Sequence, residues 1–322
     1  MKVAVLDDYQ GVALELTDWN KLPGNCQVVV FKEHCASSDI LKEQLSDFEI
    51  IVAMRERTPF GRELLAGLPK LKLLVTTGMR NASIDLDAAT DLGILVCGAG
   101  GGRLATAELT WGLILALLRH IPQEDRATRQ GHWQTTVGNE LRGKTLGIMG
   151  LGHLGARMAV IGNAFEMPVI AWSQNLDSAK AARCGATLVA KDEIFTRSDI
   201  LSIHLQLSDR TRGLISSREL SLMKPTAYLI NTSRGPIIDE TALIEALKSH
   251  SIAGAGLDVF DQEPLPPDHP LRHLDNTVIT PHLGYVTIET YKPFFSESVA
   301  DITAYLKGQP VRVLNPTVLE NK

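Results

Sequence analysis

One hexapeptide, Gly150-Leu151-Gly152-His153-Leu154-Gly155, has the residue types and spacing to hold a phosphate through its backbone. It follows a compact apolar run, Thr145–Met149, opens an alanine- and methionine-bearing stretch, and precedes a second apolar run from Val169. In that setting Gly150 permits a tight turn and Gly152 lets backbone N–H groups approach a pyrophosphate, while Gly155 seats the following helix on the sheet. The helix N-terminus adds partial positive charge. A glycine-rich turn without a ligand is the competing reading, and the strand–helix–strand context weighs against it. An NAD-selective site carries Asp or Glu about 20 residues further on, at the ribose 2′-hydroxyl. Here Ser173, Gln174 and Asn175 stand in that region, and Asp177 reads as the cap of the next helix. Neither repulsion of a 2′-phosphate nor a clamp for it is provided, so NAD is expected with NADP also usable.

Three further residues have types suited to an anion and a moving proton. Arg234 follows the apolar run Ala227–Asn231, at a strand's carboxyl end where open α/β sheets bind ligands. His282 follows Val278–Thr280 in the same way, between Pro281 and Gly284. Glu263 lies in a stretch stiffened by Pro264, Pro266 and Pro267. Taken singly, each has a plainer reading: a surface ion pair, a structural histidine, a solvated carboxylate. His204, at another strand end, is a rival histidine. Metal binding is not expected, since the pair His269 and His273 flanks Pro270 without a recognisable third ligand. A serine hydrolase is not expected either, because no G-x-S-x-G occurs.

The elements that must position these residues form two series. Val3–Leu6, Gln27–Phe31, Ile50–Met54, Leu71–Val75 and Ile94–Cys97 are short runs rich in Val, Ile and Leu, the pattern of strands buried on both faces of a parallel sheet. A second series comprises Thr145–Met149, Val169–Trp172, Ile200–Leu205, Ala227–Asn231, Gly256–Phe260 and Val278–Thr280. Between the series lies Leu104–His120, whose apolar surface is too broad for a solvent-facing helix. The tail is expected to be helical over Phe295–Leu306. Gly98-Ala99-Gly100-Gly101-Gly102 reads as a hinge. The 322 residues suit two domains, and 44% hydrophobic against 21% charged residues excludes disorder as the main state. A net charge of −5 is no footprint for nucleic acid. Asp7 and Asp8 interrupt any signal-like core, no run approaches a membrane span, and Cys26, Cys35, Cys97 and Cys184 show no pairing motif. A cytoplasmic protein is expected, with no membrane or nucleic-acid partner.

The chain resembles the D-isomer-specific 2-hydroxyacid dehydrogenases over nearly its whole length. The residues that carry the likeness are Thr106-Ala107-Glu108, Gly131-His132-Trp133, Gly143-Lys144-Thr145-Leu146-Gly147, the glycine loop and Asn231-Thr232-Ser233-Arg234-Gly235. Beyond them stand Leu257-Asp258-Val259-Phe260 before Glu263-Pro264, and Pro281-His282-Leu283-Gly284. The resemblance implies two doubly wound parallel-sheet α/β domains with an active-site cleft between them. A flavodoxin-like substrate domain would take residues 1–99 and 286–322, and a Rossmann NAD(P)-binding domain residues 100–285. It implies a hydride exchanged with a small 2-oxo or D-2-hydroxy acid, and a homodimer. Arg234 would bind the substrate carboxylate and carbonyl, His282 would act as acid/base, and Glu263 would pair with His282. Thr106, Ser173, Gln174, His204, Thr211, Thr232, Ser233, Asp258 and Gly284 would join the glycine loop at the cofactor, with Asp258 near the nicotinamide carboxamide or else a cap. Arg55, Gly78, Met79 and Arg80 would face the substrate.

Three departures bear on the substrate. Arg80 stands where the family usually has glycine in a carboxylate-binding loop, Cys97-Gly98-Ala99-Gly100 lacks the usual Asn and Pro, and Gln206 replaces a frequent proline. Two other functions fit the same fold: a dinucleotide-sensing corepressor-like scaffold and a formate-type dehydrogenase. The first would be expected to show low-complexity tails. The second tends to carry Gln where Glu263 stands.

Overall fold

Runs of four or five β-branched and leucine residues become strands because both faces of each are covered. The computed structural model describes residues 1–101 and 104–320. The chain divides into two compact units, one of Met1–Gly102 with Thr287–Lys322, the other of Arg103–Val286. In the first, β1 (Lys2–Val5), β2 (Gln27–Val30), β3 (Ile50–Ala53), β4 (Leu73–Thr77) and β5 (Leu95–Ala99) pair in parallel in the order β2-β1-β3-β4-β5. β3, β4 and β5 are buried at every residue. The glycine-rich run expected as a hinge starts inside β5, which includes Gly98 and Ala99; Gly102 lies outside the described residues.

The final helix spans Ile288–Leu306 and so begins well before the expected Phe295. Thr287 caps it by accepting from Thr290 N at 3.2 Å, and Tyr291, Phe294 and Phe295 bury its first turns despite the internal Pro293. Burial of those three rings outweighs the hydrogen bond that a helical proline removes.

The second unit holds seven parallel strands: β6 (Leu146–Met149), β7 (Val169–Trp172), β8 (Thr187–Leu188), β9 (Ile200–Ile203), β10 (Tyr228–Asn231), β11 (Gly254–Leu257) and β12 (Thr277–Ile279). Their order is β12-β11-β10-β9-β6-β7-β8. The chain therefore reverses direction across the sheet between β6 and β9, the switch point where such sheets bind ligands. The apolar helix Ala105–Leu118 lies on this unit's own sheet. A Cβ on Gly256 of β11 would stand 3.2 Å from Leu113 and 3.1 Å from Leu117 of that helix. Among the described residues no helix is long and apolar enough to cross a membrane.

Candidate active site

The glycine loop begins where β6 ends. Gly150 takes φ +98°, closed to most side chains, and its N–H donates to Trp172 O at 2.9 Å. A Cβ there would lie 2.6 Å from His204 O, and one on Gly155 would lie 2.1 Å from Gly150 O, so the helix His153–Ala164 sits directly on the turn. Gly152 differs. It is exposed, a Cβ on it would meet nothing within 4 Å, and no side chain caps the helix it precedes. Among the described residues no side chain caps the first-turn N–H groups of His153, Leu154 and Gly155, and no backbone carbonyl outside the helix accepts from them. Two of the glycines are there for packing and the third leaves room, an arrangement that fits a pyrophosphate at a helix N-terminus.

Several expected cofactor residues tie the neighbouring loops together. Thr106 Oγ1 donates to Gly284 O at 2.8 Å, Thr110 and Thr232 share a 2.8 Å hydroxyl contact, and Ser233 Oγ donates to Leu205 O. The Thr211 hydroxyl donates to Gln206 O at 2.6 Å and accepts from Ser208 N, closing a turn. Beyond β7, Ser173 is half-buried and Gln174 exposed, while Asp177 caps the next helix by accepting from Lys180 N at 2.7 Å. His204 contacts Ser202 Oγ through Nε2 at 2.8 Å. Burial pushes its imidazole down to about 4, so it is neutral at physiological pH and a poor rival as proton donor.

The loops after β10, β11 and β12 bring Arg234, Glu263 and His282 onto one end of this sheet. Asn231 Nδ2 donates to Arg234 O at 3.0 Å and its Oδ1 accepts from Ser233 N, shaping the Arg234 turn. The next residue must be glycine, since a Cβ on Gly235 would lie 2.1 Å from the Phe260 carbonyl carbon. That close approach sets the Arg234 turn against the loop carrying Glu263. Glu263 divides its carboxylate: Oε1 accepts from Phe260 N at 2.9 Å, and Oε2 meets His282 Nδ1 at 2.6 Å. Pairing at Nδ1 fixes the ring's orientation and leaves Nε2 to act on a ligand. His282 takes φ +54°, and the Tyr285 ring stands edge-on to it at 5.4 Å. Its side chain is 22% exposed, enough to be reached.

Asp258 was expected beside the nicotinamide or as a cap, and its own geometry favours the second kind of role. It is fully buried, with Oδ1 accepting from Thr280 Oγ1 at 2.6 Å and Leu283 N at 2.7 Å and Oδ2 from Gly284 N at 2.8 Å. Burial raises its carboxyl above the usual range. It is a positioning residue for the His282 loop. Tyr285, Asn231 and Gly235 also shape the site and were not singled out for this role. Asn231 and Gly235 flank Arg234 in its motif, whereas nothing local marks Tyr285.

In the other unit, Arg55, Gly78, Met79 and Arg80 form a second group, at the carboxyl ends of β3 and β4. Arg55 N donates to Thr77 Oγ1 at 2.8 Å and its Nη1 to Thr77 O at 3.1 Å. Met79 and Arg80 are exposed.

A sequence model of the D-isomer specific 2-hydroxyacid dehydrogenase NAD binding domain matches residues 111–284. The chain is 41% identical over 269 residues to a glyoxylate reductase of Aeropyrum pernix, covering 80% of each. It is 36% identical over 315 residues to a D-3-phosphoglycerate dehydrogenase of Archaeoglobus fulgidus, covering 97% of this chain but 58% of that one. A crystal structure of a putative D-3-phosphoglycerate dehydrogenase from Ralstonia solanacearum superposes with a TM-score of 0.93 at 38% identity, covering 99% of this chain and 98% of that one. The chain belongs to the D-isomer specific 2-hydroxyacid dehydrogenase family.

Proposed function

We propose that the protein reduces small 2-oxo acids to D-2-hydroxy acids with NADH, tolerating NADPH, and runs the reverse oxidation when the acid is in excess. The observation that carries this reading is the His282–Glu263 contact at 2.6 Å, on the same end of the sheet as Arg234. The glycine loop and the first-turn N–H groups after Gly152 would hold the pyrophosphate, with Thr232, Ser233 and Gly284 alongside. When bound, the nicotinamide supplies the hydride. Arg234 binds the substrate carboxylate and polarises the neighbouring carbonyl, for which a planar guanidinium is suited. His282 donates the proton on Nε2 to the oxygen that becomes the hydroxyl. Glu263 keeps the ring aimed through its contact with Nδ1, and Asp258 holds the loop beneath it. In the oxidative direction His282 takes the proton back. A formate-type reaction releases CO2 and needs no such donor, so the His282–Glu263 pair favours the hydroxy-acid reading.

A homodimer is part of the proposal. What supports it is a fixed but uncovered segment: the helix Ile121–Arg129 buries none of its residues, and Trp133 and Val137 are 75% and 92% exposed. Glu124 accepts from Thr135 N and from the hydroxyls of Thr135 and Thr136, pinning that segment outward. A second copy is the partner we assign to this surface. Four free cysteines suit the cytoplasmic location we infer. The test is a screen of purified protein against glyoxylate, hydroxypyruvate, pyruvate and phosphohydroxypyruvate with either reduced cofactor, with light scattering for the oligomer. Turnover of a 2-oxo acid to the D-hydroxy acid is expected, and failure with all four would overturn the reading.

A further inference from the structure

We propose that Glu240 is a positioning residue for the reaction: it clamps the loop that carries Glu263 and so keeps Glu263 on His282. This rests on the function proposed above and adds a group to its machinery.

The loop runs from Leu257, the last residue of β11, to the short 3₁₀ turn Pro270–Arg272. Phe260 and Leu265 are buried and anchor it, but the tip between them, residues 261–264, is exposed. An exposed tip has several backbone conformations open to it, and Glu263 must be held in one. Its contact with His282 spans 2.6 Å, so a displacement of about 1 Å breaks it.

Side chains from outside the tip hold it at both ends. Arg272 takes the far end, donating from Nε to Pro266 O at 2.7 Å and from Nη2 to Leu265 O at 2.5 Å. Glu240 takes the near end. Its Oε2 accepts from Asp261 N at 3.3 Å, and its Oε1 meets His269 Nε2 at 3.0 Å. His269 Nδ1 accepts from Leu271 N at 3.4 Å, which puts the ring proton on Nε2, facing the carboxylate. One carboxylate therefore joins Asp261 to His269 and closes the loop across its base, with Glu263 between them.

The cap of the helix Glu240–Lys248 is Asp239, whose side chain accepts from Ala242 N at 3.1 Å, so Glu240 is not needed there. A first-turn glutamate that only complements the helix dipole serves equally well in solvent. Glu240 is instead turned onto the loop, with its side chain 20% exposed. It also stands on the segment that presents Arg234. Between the two lie the 3₁₀ turn Gly235–Ile237 and the buried Ile238, a firm base. The clamp thus fixes the Glu263 loop to the Arg234 segment and keeps the His282–Glu263 pair in register with the guanidinium.

The experiment measures kcat for the best 2-oxo acid, the NADH dissociation constant and the downfield proton NMR signal of the His282 Nδ1–H bonded to Glu263, assigned by its absence in His282→Ala. Glu240→Ala should lower kcat about 10- to 100-fold, the scale of a small misplacement at the chemistry, with NADH affinity within about threefold. The downfield signal should broaden or vanish in a protein that remains folded. Glu240→Gln keeps an oxygen for Asp261 N and should recover most of kcat, and His269→Ala should fall between the two. A double-mutant cycle shows whether Glu240 acts through Glu263: in a Glu263→Ala background, Glu240→Ala should cost less than about threefold. An equal fold-loss in both backgrounds, or wild-type kcat and an intact signal in Glu240→Ala, would overturn the proposal and leave Glu240 a helix-end charge. Absence of wild-type turnover with every oxo acid would count against the proposed function instead. The downfield signal then decides the clamp, its retention in Glu240→Ala overturning it and its loss supporting it.

Discussion

Replacing Asp258 by asparagine perturbs the site at one buried point without removing any group that moves a proton. The carboxylate takes three donors: Thr280 Oγ1, Leu283 N and Gly284 N, at 2.6, 2.7 and 2.8 Å. The asparagine oxygen can accept from the first two, which converge on one side. Its amide group then faces Gly284 N–H, donor against donor, with no water access because the residue is fully buried. An unmet buried donor costs about 1–3 kcal/mol, which lowers the population of the His282-presenting loop, and with it kcat, about 5- to 140-fold. Asp258→Ala, leaving all three donors unmet, should fall further. The assay is steady-state reduction of the best oxo acid at saturating NADH, with thermal unfolding alongside. Wild-type kcat in a variant whose unfolding temperature has dropped would refute the positioning role, since the carboxylate would then serve stability alone.

Gly152→Ala should leave the unfolding temperature unchanged, because a Cβ there meets nothing within 4 Å, yet weaken NADH binding at least about tenfold by occupying pyrophosphate space. Fluorescence titration of NADH decides it, and unchanged affinity would mean the loop is no cradle. Ser173→Asp should weaken NADPH binding relative to NADH by about 1–3 kcal/mol, measured by equilibrium titration of both cofactors. Equal weakening of both would place the ribose elsewhere. Asp301 is fully buried, with Arg312 Nη2 2.8 Å from Oδ1 as an ion pair but no well-oriented hydrogen bond to either oxygen among the described residues. Burial pushes its carboxyl up to about 7. The folded protein therefore holds a proton that the unfolded chain releases near pH 4, and this group's contribution to stability falls as pH rises from about 4 to 7. Denaturant unfolding of Asp301→Asn should show a shallower fall than wild type over that range, and parallel curves would rule the coupling out.

Much of this arrangement is legible in the residues themselves. Val, Ile and Leu runs announce strands buried on both faces, and all eleven need no more than end adjustments, as where Leu71–Val75 becomes Leu73–Thr77. Thr187–Leu188 escapes because a two-residue edge strand buries too little to leave an apolar run. The early start of the last helix escapes because Pro293 reads as a stop, and only the burial of Tyr291, Phe294 and Phe295 shows otherwise. At the site, Arg234, Glu263 and His282 are visible through their motifs and strand-end positions. The triple use of Asp258 is not, since its partners lie 22 to 26 residues away and meet it only once the turn at His282 has formed. The same holds for Gly235, whose need for glycine comes from the Phe260 backbone passing over it.

The central claim is that His282 supplies the proton, aimed through its Nδ1 contact with Glu263. The most direct measurement is kcat for the best 2-oxo acid in His282→Ala, taken together with the NADH dissociation constant. Loss of a positioned general acid predicts a fall of about 10²- to 10⁴-fold in kcat while NADH affinity stays within about threefold. A variant that turns over within about tenfold of wild type would contradict the claim and move the proton to another group.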